Sequence, residues 1–495
     1  MRLFLEFVPE QAAAHRLRLS YAFRLFCAVY DHEALVDPLQ AHTADAWLSY
    51  RMDTARPAKR TVYLSNLYRP RSPRLPAPPP THVHFEDQRT VLFYAPKHGA
   101  TPDWLAEIFE WVSCADEYSV TAHDSIGRVP FRKSYAGRHD LNIGQPYAAI
   151  AMHLLQRATC RVLPFCRPQP VCPLPSSRHF IVNTHDVDFL PLDRIGSIKR
   201  STRNAVISLV LGRSPRLSAS QIAHAFRTAV TARDALDQMP VLLQSEWERS
   251  AGASFYFITS NRHRRDANYQ LEEPQVLNLL HDLVAQGMEV GVHGSYTSID
   301  EPDQLRREFA RLRHLGFDPK GGRQHWLRFT VDRLIREVER TGALYDASLG
   351  WSDRVGFRAG ACFAFPPYNF EHERPARFIE IPLVIMDQAL QESQKSEDGR
   401  YDAAARILAA SRQYSWGGIS VLWHPTAFGG CQLSPDIGKT FWRLLDQRGT
   451  WNDSWDSAVS FVSAIQGRYS RVGLLTHEPQ PDYPAAFSAT RLPCE

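Results

Sequence analysis

The pattern of apolar and polar positions changes near residue 178. Beyond it, short apolar runs bounded by turn residues alternate with longer stretches of helical apolar spacing. The predicted strands are residues 178–183, 254–259, 288–292, 378–386 and 418–423, with shorter extended pieces ending at Arg323 and Asp346. The predicted helices are residues 272–286, 300–315, 331–341 and 403–413. This alternation predicts an α/β fold with a parallel sheet, either open or closed into a barrel.

The remaining segments predict the domain organisation. Before the alternating region, residues 1–160 mix predicted helices (12–30, 104–113, 147–157) with predicted strands (60–64, 90–94), which indicates a smaller α/β domain. Residues 161–177 are rich in proline and predict the connection between domains. Residues 66–81 are an exposed loop or a short linker. The barrel unit covers 178–467, with a basic helical insertion at about 197–249, and a tail follows at 468–495.

Composition excludes several classes of protein. The net charge is only +4 over 495 residues and the arginines are scattered, so we expect no nucleic-acid partner. No run is long and apolar enough for a membrane helix, and Glu6 interrupts the apolar N-terminus, which therefore does not resemble a signal peptide. We expect a cytoplasmic protein. The eight cysteines have no zinc-ligand spacing and are expected to be mostly free thiols.

Polar residues follow the predicted strands with unusual regularity. They are Asp186 and Asp188, His293, Arg323 with His325 and Arg328, Asp346, Asp387, and His424. In parallel α/β folds the carboxyl ends of the strands share one edge, where functional groups collect. A single such residue is also explained as a turn or a hydrogen-bonded cap. The whole set is better explained as a site.

The residue types in this set match one kind of chemistry. Asp and His are the ligands of a catalytic zinc or a similar ion. A second carboxylate near the metal can act as a general base, and a separate histidine can protonate a leaving group. Arginine can hold the base or bind developing negative charge. Asp186 and Asp188, two positions apart on an extended chain, point the same way and would need a cation or a shared proton between them.

Five short motifs resemble a known family. Thr184-His-Asp-Val-Asp188, Glu289-Val-Gly-Val-His293, Arg323 within Gly-Gly-Arg-Gln-His, residues 342–349 and Leu422-Trp-His424 are similar, in this order, to the motifs of the NodB-homology polysaccharide deacetylases, carbohydrate esterase family 4. The likeness extends to a divergent bacterial subgroup with an extra N-terminal domain. It implies a distorted (β/α) barrel of about seven parallel strands and removal of an N-acetyl group from an amino sugar.

The resemblance also implies roles for individual residues. Asp186 would be the catalytic base, oriented by Arg323, and His424 would be the general acid. Asp188 and His293 would bind the metal. The family has a further histidine four positions after the first, but this chain has Thr297 there. We predict that His325 replaces it, which makes Asp188, His293 and His325 the ligands of a divalent ion, most simply zinc. Otherwise His325 only packs beside Trp326.

Contacts to a carbohydrate substrate are predicted at Tyr296, Trp351, Arg358, Arg328 and Asp387. Aromatic faces stack on sugar rings, and Arg358 can bind an acidic sugar or a phosphate. The segment 351–368 then forms a wall of the substrate groove, or else a loop packed on the barrel. Either Asp346 or Asp387 could hold the imidazole of His424.

Three functions fit these patterns. The first is a metal-dependent deacetylase acting on an amino sugar or a glycan precursor. The second is a hydrolase of another C–N bond on the same fold. The third is a metal-free glycan-binding or scaffold protein, which Thr297 favours and the joint presence of Asp186, Asp188, Arg323 and His424 opposes. The sequence does not identify a protein partner.

Overall fold

The computed structural model describes most of the chain. The described residues are 1–8, 11–51, 60–68, 72–85, 88–94, 96, 100–174, 177–191, 194–210, 215–231, 237–429 and 436–475. Most of the predicted tail, residues 476–495, lies outside them, as do residues 211–214 and 232–236 of the predicted insertion. Among the described residues, no helix is long and apolar enough to cross a membrane.

The N-terminal part is built on a small parallel sheet. Its strands are β1 (Arg2–Glu6), β2 (Glu33–Leu35), β3 (Ala46–Ser49) and β4 (Thr61–Tyr63), in the order β2-β1-β3-β4. A separate hairpin pairs β5 (Thr81–Phe85) with β6 (Gln88–Leu92). The helices are α1 (Ala13–Tyr30), α2 (Trp104–Val112), α3 (Tyr135–Arg138) and α4 (Tyr147–Val162). The sequence analysis predicted strands at β4 and β6 but not at β1, β2, β3 and β5.

The large sheet is parallel throughout. Its strands are β7 (His179–Val187), β8 (Ser254–Ile258), β9 (Glu289–Gly294), β10 (Gly321–Gln324), β11 (Tyr345–Asp346), β14 (Ile379–Glu380), β15 (Leu383–Met386), β16 (Gly417–Leu422) and β17 (Asp453–Asp456). Outside it, β12 (Tyr368–Asn369) and β13 (Arg374–Pro375) form a small antiparallel ladder. The order along the large sheet is β14-β11-β10-β9-β8-β7-β16-β15, and β17 pairs with the first half of β7.

One segment closes this sheet into a barrel. Strands β14 and β15 are separated only by Ile381 and Pro382, and the first pairs with β11 while the second pairs with β16. The amide of Ile381 still donates to Asp346 O, and Pro382 O accepts from the amide of Ser420. Counted as one strand, this segment completes a ring of seven, so the predicted distorted (β/α) barrel is confirmed.

Helices cover the barrel and fill the connections. They are α5 (Arg194–Val210), α6 (Pro215–Thr231), α7 (Met239–Glu248), α8 (Pro274–Ala285), α9 (Gln304–His314), α10 (Val331–Thr341), α11 (Asp387–Ser393), α12 (Glu397–Tyr414), α13 (Ile437–Asp446), α14 (Arg448–Trp451) and α15 (Ala458–Arg471). Helices α5–α7 lie between β7 and β8, where the sequence predicts an insertion. Gly287, after α8, has the left-handed conformation (φ +77°) expected of a residue that ends a helix.

The N-terminal part packs directly against the barrel. The Tyr21 hydroxyl donates to Pro366 O (2.7 Å), and the Trp416 indole donates to Val29 O (3.2 Å). A single apolar core runs through both parts. This core does not divide at residues 161–177, so the domain boundary predicted there stays a prediction.

Candidate metal centre and active site

Successive side chains at the end of β7 point to opposite faces of the strand. Thr184 and Asp186 point toward Arg323, whereas His185 points the other way. The ring nitrogens of His185 lie 2.6 Å from Trp423 O (Nδ1) and 2.9 Å from Glu246 Oε1 (Nε2). This is the period-two alternation of a strand. It gives His185 a structural role and directs the two aspartates to the other face.

Arg323 connects several strands inside the barrel. It lies opposite His293 in the register of β9 and β10, and its side chain is fully buried. The guanidinium donates to Asp186 Oδ1 (2.8 Å), Thr184 Oγ1 (2.9 Å) and Ala347 O (2.7 Å). A buried charge needs such partners. Arg323 is therefore fixed in orientation, and it fixes Asp186.

Three potential metal ligands converge beside this pair. His293 Nε2 and His325 Nδ1 are 3.0 Å apart, and they lie 3.2 Å and 3.3 Å from Asp188 Oδ1. Among the described residues, Asp188, His293 and His325 form the one group of three that could hold a metal ion. We call them the metal triad. Thr297 does not belong to it; its backbone carbonyl accepts from the amide of Asp300.

Backbone carbonyls set the tautomers of the two triad histidines. His293 Nδ1 lies 2.9 Å from Arg323 O, and His325 Nε2 lies 2.7 Å from Arg265 O. A nitrogen facing a carbonyl carries the proton, so in the neutral rings the lone pairs are on His293 Nε2 and His325 Nδ1. Those are the two nitrogens that face each other. Two lone pairs at 3.0 Å repel unless a cation or a proton lies between them.

The metal triad has the spacing of a tetrahedral metal face. Bonds of about 2.0–2.1 Å at tetrahedral angles separate neighbouring ligand atoms by roughly 3.3 Å, close to the three distances observed. Asp188 Oδ1 is buried and has no hydrogen-bond partner among the described residues. Buried carboxylate oxygens without partners are costly. A divalent ion satisfies this oxygen and both lone pairs together, so the residues fit the ion.

Asp186 lies next to the metal triad without belonging to it. Its Oδ2 is 3.6 Å from His293 Nε2, while its Oδ1 accepts a hydrogen bond from Arg323. Burial opposes ionisation, but Arg323 and the nearby imidazoles outweigh it and hold the pKa of Asp186 below its usual value. The carboxylate is therefore charged at neutral pH and one oxygen remains available to accept a proton.

His424 lies beside the metal triad and is held by Asp387. Its Nδ1 is 2.9 Å from Asp387 Oδ1, and its backbone amide donates to Asp387 Oδ2 (2.8 Å). Its Nε2 points toward Asp188 Oδ2, 3.7 Å away. Burial would lower the pKa of His424, but the Asp387 carboxylate raises it to about 10. The imidazole is thus poised to be a proton donor.

The two candidate partners of His424 have different surroundings. Asp387 holds the imidazole, so the substrate contact predicted for Asp387 stays untested. Asp346 lies beside Glu380 instead, and burial raises the pKa of Asp346 to about 6. Its side chain accepts from the amide of Ser348 (2.9 Å). We therefore assign Asp346 a structural role next to the site.

A cavity of about 50 Å³ opens onto the predicted catalytic residues. Its lining includes Asp186, the metal triad and His424, and also Trp326, Gln324, Ser352 and Arg128. Trp326 is 42% exposed and has a left-handed backbone (φ +63°), as does Leu327 (φ +49°). Such conformations are unfavourable for these residues and cluster at functional sites. Here the strained turn directs His325 inward and leaves the indole at the mouth.

The N-terminal part contributes to this mouth. Arg128 donates to Trp326 O (3.1 Å), while Arg328 of the barrel donates to Ile126 O (2.6 Å). Arg328 also donates to Tyr296 O and lies over the Tyr296 ring, 4.6 Å from its centroid. Arg328 and Tyr296 therefore tie the two parts of the chain together, and their predicted substrate contacts stay predictions. No sequence motif pointed to Arg128, which lies in a turn far from the barrel motifs.

Trp351 and Arg358 line a neighbouring cavity of about 160 Å³. Arg358 is buried and its guanidinium is held by Glu117 (2.5 Å) and Gly350 O (2.8 Å). Trp351 is buried beneath this guanidinium, which lies 4.4 Å from the indole. The two cavities share Arg128, Leu327 and Ser352. The predicted sugar contacts of Trp351 and Arg358 are untested, and the other aromatic side chains of 351–368 are buried in the core.

Neither a family model nor a curated protein matches this chain. Solved structures similar to it include Puue allantoinase (14% identity, TM-score 0.40, covering 60% of this chain and 94% of that one). A Mycobacterium smegmatis protein provisionally named a polysaccharide deacetylase has 15% identity and a TM-score of 0.37 (61% and 94% covered). The Xyl-CE4 domain of a xylanase from the hindgut metagenome of Trinervitermes trinervoides has 10% identity and a TM-score of 0.30 (59% and 92% covered). Two of these three are named for a polysaccharide deacetylase or a CE4 domain, the family that the motifs resemble.

Proposed function

We propose that this chain is a metal-dependent hydrolase that removes N-acetyl groups from an amino sugar, free or within a glycan. The observation that supports this most is the convergence, around one cavity, of the metal triad, the Asp186–Arg323 pair and the Asp387–His424 pair. A binding protein or scaffold needs no such combination of base, acid and ligand set. Without a metal, a proton would have to lie between His293 and His325 to relieve their facing lone pairs.

The donor set indicates the kind of ion. One carboxylate and two imidazoles are ligands that zinc accepts in hydrolytic sites, with other positions left for water and substrate. When bound, such an ion supplies Lewis-acid polarisation and a more acidic water. Asp188, His293 and His325 would hold it. The carbonyls of Arg323 and Arg265 keep both imidazoles in the tautomers required.

Asp186 is the proposed general base. Arg323 occupies one of its oxygens and keeps the carboxylate ionised, so the other oxygen can accept a proton from the attacking water. The oxygen of that water forms a bond to the carbonyl carbon of the N-acetyl group. The buried position of Asp186 restricts the directions from which water can approach it.

His424 is the proposed general acid. An amine is a poor leaving group unless it is protonated, and the Asp387 carboxylate keeps the imidazole charged at neutral pH. His424 gives its Nε2 proton to the amide nitrogen as the C–N bond breaks. The products are acetate and a free amino sugar, and proton exchange with water restores Asp186 and His424.

Recognition of a sugar is proposed to involve the mouth of the cavity. The exposed Trp326 indole offers an apolar face next to the metal triad, and sugar rings stack on such faces. Arg128 lines the same cavity and brings a hydrogen-bond donor from the N-terminal part. We propose that the N-terminal part thereby helps to form the substrate site.

The proposal is tested by incubating the metal-loaded protein with N-acetylchitotetraose and measuring acetate release and the mass of the sugar product. Asp186→Asn should abolish most of the release. Asp318→Asn, which removes an exposed carboxylate paired with Lys320 and outside both cavities, is the matched control and should not. Cleavage of the non-sugar amide allantoin without acetate release from the sugar would contradict the substrate class. Absence of both activities in the metal-bound protein would contradict the proposed hydrolysis.

A further inference from the structure

Helices α5 and α6, inserted between β7 and β8, expose large apolar side chains and bury small or polar ones. The two helices pack against each other. Among the side chains that the structure describes on these helices, the buried ones are small or polar: Ser201, Ala205, Ser218, Gln221, His224 and Thr228. A helix of a globular protein normally turns its large apolar side chains inward. Small residues between closely packed helices are instead typical of helices in an apolar solvent.

Six large apolar side chains in the described part of this helix pair lie on the outside. More than half exposed are Val206 (55%), Leu209 (60%), Val210 (79%), Ile222 (56%), Phe226 (73%) and Val230 (69%). Residues 222, 226 and 230 are four positions apart and therefore share one face of α6. Single exposed apolar residues are ordinary, but a contiguous set marks a surface that meets something apolar.

The charged side chains of helices α5 and α6 are all positive. They contain six basic residues and no aspartate or glutamate; the basic residues are Arg194, Lys199, Arg200, Arg203, Arg216 and Arg227. Lys199, Arg203 and Arg227 are exposed. The whole chain has nearly balanced charge, with 57 basic and 53 acidic residues, so this segment is exceptional.

We propose that the α5–α6 helix pair binds the surface of a membrane that contains anionic lipids. Apolar side chains of an interfacial helix enter the boundary between headgroups and acyl chains, and basic side chains contact the anionic headgroups. Neither helix is apolar enough to span a bilayer, which leaves attachment to the surface. A protein partner would need a surface that is both acidic and apolar to match this face, whereas an anionic membrane offers both along its whole surface.

The attachment has a consequence for the candidate active site. Helix α5 begins six residues after Asp188, on the chain that leaves the carboxyl end of β7. The membrane-binding helices therefore start at the same edge of the barrel as the metal triad. Binding through α5–α6 would bring that edge of the enzyme to the bilayer. The proposal itself does not depend on the chemistry proposed for the site.

The test is sedimentation of the full-length protein with vesicles. Phosphatidylcholine vesicles containing 30% phosphatidylglycerol should carry the protein down, pure phosphatidylcholine vesicles should carry much less, and 0.5 M NaCl should weaken the binding. The double variant Phe226→Ser/Val230→Ser should bind about ten-fold more weakly, as should Lys199→Glu/Arg203→Glu. Leu39→Ser removes an equally exposed apolar side chain (81%) far from these helices and is the matched control.

Each result decides the proposal. Loss of vesicle binding in both double variants, with unchanged circular dichroism and unchanged binding by Leu39→Ser, would support it. Equal sedimentation of wild type and both variants, or no binding to the anionic vesicles, would overturn it. Self-association without vesicles that Phe226→Ser/Val230→Ser abolishes would also overturn it, because the face would then be an interface between copies of this chain.

Discussion

His293 and His325 direct their unprotonated nitrogens at each other across 3.0 Å, while the other nitrogen of each ring faces a backbone carbonyl. Neither ring can turn its lone pair away without losing that carbonyl. Asp188 Oδ1 completes the triangle. With both rings neutral, this arrangement is unfavourable when the site is empty and favourable for a bound cation.

The two aspartates of β7 should behave differently when each is changed to asparagine. Asp186→Asn should keep the metal and lose about 10²–10⁴-fold in kcat, because it removes the base but no ligand. Asp188→Asn should lose both metal and activity, because it removes a charged ligand. Metal content and deacetylation are measured on the same preparations. The assignment is reversed if Asp186→Asn loses the metal and Asp188→Asn keeps it.

His424→Ala should affect substrates according to their leaving groups. Hydrolysis of an N-acetylated sugar should fall strongly in kcat, because the departing amine needs a proton. Hydrolysis of an activated acetate ester should largely survive, because its leaving group needs none. The comparison uses initial rates on both substrates at saturating concentration. An equal loss on both would show that His424 has a structural role instead.

Asp387→Asn should change the pH profile of kcat in one direction. Activity requires a protonated His424, and the Asp387 carboxylate raises the pKa of His424 to about 10. Without that charge the imidazole loses its proton at lower pH, so the alkaline limb should move down by about 1–3 pH units. The acidic limb, which reports Asp186, should stay in place. An unmoved alkaline limb would disprove the positioning role of Asp387.

Gly322→Ala should destabilise the fold at the centre of the site. A Cβ on Gly322 would lie 1.8 Å from Val292 O, so β10 would have to move away from β9 and disturb the register of His293 and Arg323. We expect a loss of about 1–3 kcal/mol in the free energy of unfolding, measured by denaturant titration. Gly467→Ala, in an open position on α15, should instead stabilise by up to about 1 kcal/mol. Similar effects of the two substitutions would contradict this packing.

Regular patterns made the barrel predictable. The helix at 331–341 has the same bounds in the sequence prediction and in the structure, because its apolar spacing is strong and Gly342 ends it. The strand predicted at 378–386 is present but has two partners, which the sequence could not show. Pairing on both sides of Pro382 is a tertiary property of the closed barrel.

The candidate site was predictable where residues follow strands, and less so elsewhere. Placing strand ends at one edge brings Asp186, Arg323 and the metal triad together, whereas the ligand roles and the Asp186–Arg323 pairing were expected from the family resemblance. The choice of Asp387 over Asp346 as the partner of His424 depends on where α11 begins and could not be made from spacing. Arg128 reaches the site only because the N-terminal part packs on the barrel, and no local pattern records that contact.

Metal analysis of the purified protein tests the central claim most directly. Wild-type protein, dialysed against buffer containing zinc and then metal-free buffer, should retain about one ion per chain by mass spectrometry of the metal. His325→Ala should lose it, since two ligands remain, while Thr297→Ala should retain it because Thr297 lies outside the metal triad. Stoichiometric metal in the wild type and in Thr297→Ala but not in His325→Ala is the predicted result. Absence of metal from the wild type, or full retention by His325→Ala, would contradict the account.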